Sequence, residues 1–158
     1  MSFVGILAEN KDYELIKNMI GKRKLGIDLL QIKEKSIENI KNIKFDTIVI
    51  NKEMEKNKKY LKKILENTQY LVINSDLDLN QEDYQNVKLQ IITYGFNSKA
   101  TITASSVTDN NMIICVQRNI KGINKKDIEQ QEYNIKMEQK NNKNPYNTMA
   151  YFAISQIY

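Results

Sequence analysis

The chain has 158 residues, 41% hydrophobic and 27% charged, with one Pro, five Gly, one Cys and no His. That length suits a single domain with a buried core, and no run approaches the roughly 18 apolar residues of a membrane span. A net charge of +5, from 24 Lys and Arg against 19 acids, is spread over Lys-rich stretches with acids close by, the pattern of solvated helix faces rather than of a nucleic-acid stripe.

Absence of His removes the usual base of a nucleophilic triad, so Ser105 and Ser106 have no partner for such chemistry. The lone Cys115 excludes an internal disulfide and fits a reducing compartment. Flanked by Ile and Val, it reads as a small buried hydrophobe. The first ten residues lack a basic segment and carry only a short apolar run, unlike a signal peptide. Cytoplasm is the expected compartment.

Residues 3–7 (FVGIL) suit a buried parallel strand. Asn10 is placed to cap the next helix, which turns Tyr13, Ile16 and Ile20 inward, and Gly21-Lys22 suits its C-terminal cap. Gly26 breaks the chain before a second strand over 27–32 (IDLLQI), and Ser36 precedes a short helix through Ile40 and Ile43. The third strand, 46–50 (DTIVI), is the clearest. A long Lys- and Glu-rich helix then carries Tyr60, Leu61, Ile64 and Leu65 inward, before strands over 69–74 (QYLVIN) and 89–94 (LQIITY).

After Gly95 the rhythm changes. Residues 100–106 and 132–137 alternate and 112–117 (MIICVQ) reads as a strand, the three together suggesting a small antiparallel sheet, with a turn at Asp109-Asn110-Asn111 and a polar connection over 122–131. Pro145 suits the first turn of a closing helix whose Met149, Phe152, Ala153 and Ile157 share a stripe. The expected fold is α/β: a three-layer, Rossmann-like, mostly parallel sheet with a small appended antiparallel sheet. Residues 1–158 form one domain, divided into a parallel part (1–95), an antiparallel part (96–140) and the closing helix (144–158).

From Thr47 onward the order of elements resembles the central domain of the Mur ligase family, the ATP-dependent amino-acid-adding enzymes of peptidoglycan synthesis. Three stretches carry the resemblance: Leu71 to Asp78 (LVINSDLD), Ile91 to Phe96 (IITYGF) and Asn144 to Ala150 (NPYNTMA). They look like the family's Asn-x-Asp-Asp turn, its aromatic-Gly step and the Asn-x-x-Asn start of its last helix. The resemblance implies a nucleoside contact at Asn144 and Asn147, whereas the residues themselves suggest a helix N-cap at Asn144. Asp76 and Asp78 are open to two readings, a metal pair or ordinary turn chemistry.

The family's phosphate loop of the Gly-x-Gly-x-x-Gly-Lys-Thr kind is matched here by Leu7 to Glu14 (LAENKDYE), which has no Gly and three acids. Its Mg²⁺-binding Glu and His are matched by Gln31 and by Asn51 to Met54, groups unsuited to a hard cation. Its carbamylated lysine falls at Lys62 or Lys63. The expectation is therefore a non-catalytic Mur-ligase-like protein with no catalytic residue, no metal and no cofactor, in a setting such as the cell envelope or sporulation of a low-GC Gram-positive bacterium. Its expected partner is a protein, a second copy included, and Tyr146, Tyr151 and Tyr158 are candidates for an aromatic docking face. The alternatives are retained nucleotide binding, half of a composite ligase site, and, more weakly, nucleic-acid binding.

Overall fold

Strands and helices alternate from the first residues of the computed structural model, which describes residues 1–80, 83–84, 86–123, 126–137 and 144–158. The order is β1 (Ser2–Leu7), α1 (Asn10–Arg23), β2 (Ile27–Ile32), a 3₁₀ turn (Glu34–Ser36), α2 (Ile37–Ile40), β3 (Thr47–Ile50), α3 (Lys58–Leu65), β4 (Tyr70–Asn74) and β5 (Gln90–Tyr94). There follow β6 (Ile102–Val107), β7 (Asn111–Val116), β8 (Ile120–Lys121), β9 (Asp127–Ile128), β10 (Gln131–Lys136) and α4 (Pro145–Ile157). The main sheet has eight strands in the order β2-β1-β3-β4-β5-β6-β7-β10. It is parallel from β2 to β6 and antiparallel from β6 through β7 to β10.

The antiparallel strands continue the parallel sheet. Their junction is slight: Tyr94, the last residue of β5, pairs with Ile102, the first of β6, and Gly95 N–H donates to the Ile102 carbonyl at 3.0 Å. The stretch read as a polar connection holds part of a separate two-stranded sheet, β8 with β9. Residues 138–140, placed with the antiparallel part, lie outside the described residues.

Period-two alternation sends successive strand residues to opposite faces. Val4 and Ile6 of β1, Val49 of β3, Tyr70 and Val72 of β4 and Ile92 and Tyr94 of β5 meet α1 and α4. Leu7, Ile48, Ile50, Leu71 and Ile73 meet α2 and α3 on the other face. Both faces of β3 and β4 are thus buried, which explains their unbroken apolar runs. Each fully buried Ile or Leu contributes roughly 1.5–3 kcal/mol. Helix α4 is buried around most of its girth, Asn147 and Thr148 included, so it is a core element rather than an amphipathic surface helix.

Several local expectations are corrected. The residue flanking α1 is Glu9, without a side-chain cap, and Asn10 is already helical. Gly21 lies inside α1, and the left-handed terminator is Lys24 (φ 51). Helix α3 is one short element, because residues 51–57 form a loop ending in left-handed Asn57 (φ 62). Cys115 is only half-buried and its Sγ donates to Glu132 Oε1 at 3.4 Å. Met112, Ile114 and Val116 take the core side of β7, which leaves Cys115 on the other face.

Candidate functional site

In an open parallel sheet the ligand position lies beyond the carboxyl ends of the strands, where the strand order reverses. Here that is the crevice between β1 and β3, with α1 on one face and α2 and α3 on the other. Its walls are the Ala8–Glu9 turn into α1 and the loop that begins at Asn51. The N-terminus of α4 closes the top.

A directed chain of hydrogen bonds fills this crevice. Tyr94 Oη donates to Asn51 Oδ1 at 2.7 Å. Asn51 Nδ2 donates to Asn147 Oδ1 at 2.9 Å, and Asn147 Nδ2 donates to Asp12 Oδ1 at 2.7 Å. Asn144 Nδ2 reaches the same Asp12 oxygen at 3.4 Å. The direction is fixed from the carboxylate end, because an ionised carboxylate can only accept: Asn147 must turn its Nδ2 to Asp12 and its Oδ1 to Asn51, and Asn51 then turns its Oδ1 to the Tyr94 hydroxyl, which also lies 3.3 Å from the Ile50 carbonyl. Each amide between them therefore has one permitted orientation. Tyr94 and Asn147 are fully buried, where such a bond is stronger and an unmade one costs more. Burial, then the nearby Asp12 and Tyr146, pushes the Tyr94 phenol well above its ordinary pKa and keeps it a donor.

Asp12 stands in the first turn of α1, where its negative charge suits the helix dipole. An entering phosphate would meet that carboxylate. At a separation of about 4 Å the repulsion is about 4 kcal/mol at an effective dielectric of 20, more than the ~0.3–2 kcal/mol a helix terminus offers an anion. Repulsion wins. Lys52 is also engaged, its Nζ 2.6 Å from Glu9 Oε1.

The loop over residues 51–57 ties the rim together. Besides the Asn51 and Lys52 contacts, Glu53 Oε1 accepts from Asp78 N–H at 3.0 Å. Glu34 receives the Lys56 N–H on its side chain and Asn57 Nδ2 on its carbonyl at 3.3 Å. Gln31 Nε2, at the end of β2, donates to the Ala8 carbonyl at 3.2 Å and to Asn10 Oδ1 at 2.8 Å. The neutral amide at Gln31 thus holds the β1 turn in place.

Asp76 organises the second part of the rim. Its carboxylate accepts from Phe96 N–H at 2.6 Å, Asn97 N–H at 3.3 Å, Asn97 Nδ2 at 2.7 Å and Tyr146 Oη at 3.0 Å. Partial burial raises its pKa, but these hydrogen bonds outweigh it and the net shift is downward. Gly95 makes the approach possible: it sits at φ 156, and a Cβ there would come within 2.8 Å of the Asp76 carboxylate. Asp78 meets Glu53 through its backbone N–H, and no group of three His, Cys, Asp or Glu suited to a metal occurs among the described residues.

The structure brings Asn144 and Asn147 together with Asp12. Asn144 is the N-cap of α4, its Oδ1 accepting from Tyr146 N–H at 3.1 Å, and Asn147 is the centre of the chain of hydrogen bonds. The three tyrosines do not make a free aromatic face: Tyr151 is buried with Arg23 over its ring, Tyr146 holds Asp76, and Tyr158 Oη lies 2.7 Å from Thr47 Oγ1. Tyr94 is the member that sequence reasoning missed. Its signal was a polar-tipped residue closing an apolar strand, matched by Asn51 just after β3 and by Asn147 inside an apolar helix.

No helix is long and apolar enough to cross a membrane among the described residues. No family model and no curated protein matches the chain. Among solved structures, the apo form of D-lactate dehydrogenase from Escherichia coli aligns at 10% identity and TM-score 0.41, over 59% of this chain and 31% of the enzyme. Salmonella D-lactate dehydrogenase aligns at 12% identity and TM-score 0.39, over 59% and 29%. The chain therefore spans less than a third of either enzyme.

Proposed function

We propose that this protein is a non-catalytic domain of Mur-ligase-like descent that works through protein contacts, as a binding or regulatory component. A role in the bacterial cell envelope or in sporulation belongs to the same reading. One observation supports it above the others: the switch-point crevice is occupied by the chain's own Tyr94–Asn51–Asn147–Asp12 hydrogen bonds. A nucleotide would have to break these bonds and meet the Asp12 carboxylate, and the residues at the family's Mg²⁺ positions are engaged in holding loops.

A thermal-shift titration with Mg-ATP, ADP and UDP-sugars tests the reading. No stabilisation is expected up to millimolar ligand. A bound nucleotide at a hundredfold excess over its Kd would add about 2.7 kcal/mol, so a rise of several degrees overturns the proposal in favour of retained nucleotide binding through Asn144 and Asn147.

A further inference from the structure

A recess of about 310 Å³ lies on the α3 side of β4 and β5. Leu71 and Ile73 of β4, both buried, close its inner end. Leu77, Leu79 and Tyr84 line one side and are half-buried, while Ile91 of β5, 47% exposed, stands at the open end. The wall opposite β5 is tied in place. Ser75 N–H donates to the Tyr94 carbonyl at 2.9 Å, Leu77 N–H to the Asn74 carbonyl at 3.4 Å and Asp78 N–H to Glu53 Oε1 at 3.0 Å. These bonds hold residues 75–78 to β5, β4 and the 51–57 loop, so the space is built into the fold and needs no ligand to open it.

The lining sets the chemistry of an occupant. No charged side chain lines the recess among the described residues, and the Lys58–Asp83 ion pair belongs to the adjoining narrow cleft. An anion entering here would lose hydration and gain no countercharge. The strand hydroxyls are already bonded: Ser75 Oγ donates to the Tyr94 carbonyl and accepts from Asn97 Nδ2, and Thr93 Oγ1 accepts from Thr101 N–H. A polyhydroxylated ligand therefore finds few partners. Tyr84 differs, because its hydroxyl makes no hydrogen bond among the described residues. Burial, then the neighbouring Asp83, pushes that phenol up to about 12, so it remains a donor at neutral pH. The volume is roughly twice the ~150 Å³ of an apolar cavity that takes up benzene. A partner's helix would touch Ile91 and leave the buried inner end empty, whereas a small molecule enters between the walls.

We propose that this recess binds a neutral, compact, apolar molecule of about two rings, seated between Ile91 and the Leu77–Leu79 wall, with a single hydrogen-bond acceptor on the Tyr84 hydroxyl. Release of water from the half-buried leucines and from Ile91 supplies the affinity, and the phenol fixes the orientation. The inference goes beyond the protein-contact reading and is tested apart from it: nucleotide titration reads the crevice between β1 and β3, and apolar ligands read the outer face of β4 and β5.

The probes are 2-acetylnaphthalene, naphthalene and 2-naphthoate, which share one ring system and differ in carrying a neutral acceptor, no acceptor or a charge. Each is titrated into the full-length chain. The ketone is expected to shift the methyl resonances of Leu77, Leu79 and Ile91 saturably, to bind about fivefold more tightly than naphthalene, and to bind at least about tenfold more tightly than the anion. Tyr84→Phe removes only an unpaired hydroxyl and should abolish the preference for the ketone while leaving naphthalene binding unchanged. Ile91→Glu, at the exposed end, should weaken both neutral probes about tenfold, whereas the comparably exposed Val107→Glu should leave them unchanged; circular dichroism checks that all three variants fold. No saturable shift up to the solubility limit, or shifts confined to other methyl groups, overturns the proposal. So does 2-naphthoate binding as tightly as the ketone, or a ketone-to-naphthalene ratio that survives Tyr84→Phe.

Discussion

Asn147 donates to the Asp12 carboxylate at 2.7 Å, across 135 residues of sequence, and so locks the closing helix onto the first. Removing the amide leaves Asp12 and Asn51 short of a partner in a half-buried setting. Asn147→Ala should cost about 1–3 kcal/mol by urea denaturation. Asp12→Ala should also destabilise, but the double variant should fall short of the sum by about 0.5–3 kcal/mol, because both changes break one bonded unit. Simple additivity would show that the two groups are neighbours without being coupled.

A second relationship, between Asp76 and Gly95, carries a pH signature. The folded pKa of Asp76 lies below its ordinary 3.8, so its contribution to stability is present above the unfolded value and is lost as pH falls through the folded one. Denaturation at pH 6 and near pH 3 should show wild type losing more stability on acidification than Asp76→Asn. An equal loss in the two proteins would remove Asp76 from the account of acid sensitivity.

Gly95→Ala tests the close approach itself. The new methyl would meet the Asp76 carboxylate at 2.8 Å from an uncommon backbone angle, and the cost should be about 1–3 kcal/mol. In an Asp76→Ala background the steric part disappears, so the same substitution should cost measurably less. If it costs the same there, backbone conformation alone sets the penalty.

Much of this fold was legible in local pattern. The runs ending at Leu7, Ile50 and Asn74 announced buried parallel strands, and the alternation over residues 132–137 announced an antiparallel one. Elements of two residues, such as β8 and β9, have no period to read. The acids around α1 pointed to a poor phosphate site, but the partners of Asp12 did not follow from them. Tyr94, Asn51 and Asn147 come from a strand, a loop and a helix that meet only through the sheet order, and no local spacing encodes that meeting. Leu71, Ile73 and Ile91 read correctly as strand residues, yet the pattern does not tell that Leu71 and Ile73 are buried while Ile91 is exposed.

Gly21 offers a stabilising change. It lies inside α1, is exposed, and a Cβ there meets nothing within 4 Å. Glycine at an interior helical position costs roughly 0.5–1 kcal/mol relative to alanine, and nothing in the surroundings opposes the substitution. Gly21→Ala should raise stability by about that amount. A loss would show that the backbone of α1 needs glycine's freedom at this turn.

High pH should unfold the protein through its buried phenols. Burial, the largest influence on each, pushes Tyr158 and Tyr84 from the ordinary 10.0 up to about 12, and drives Tyr94 well above its usual value. For an acid with a raised folded pKa, the stabilisation is complete below the unfolded value near 10 and is lost as pH climbs toward the folded one. Between these limits the unfolded chain releases phenolic protons that the folded chain keeps. Denaturation midpoints should therefore hold steady to about pH 10 and then fall, with phenolate absorbance appearing together with the loss of secondary structure. In Tyr94→Phe the Asn51 carbonyl loses its donor, so the starting stability should be lower by about 1–3 kcal/mol, while the alkaline decline should be shallower than in wild type. An equally steep decline would assign the alkaline sensitivity to the other tyrosines.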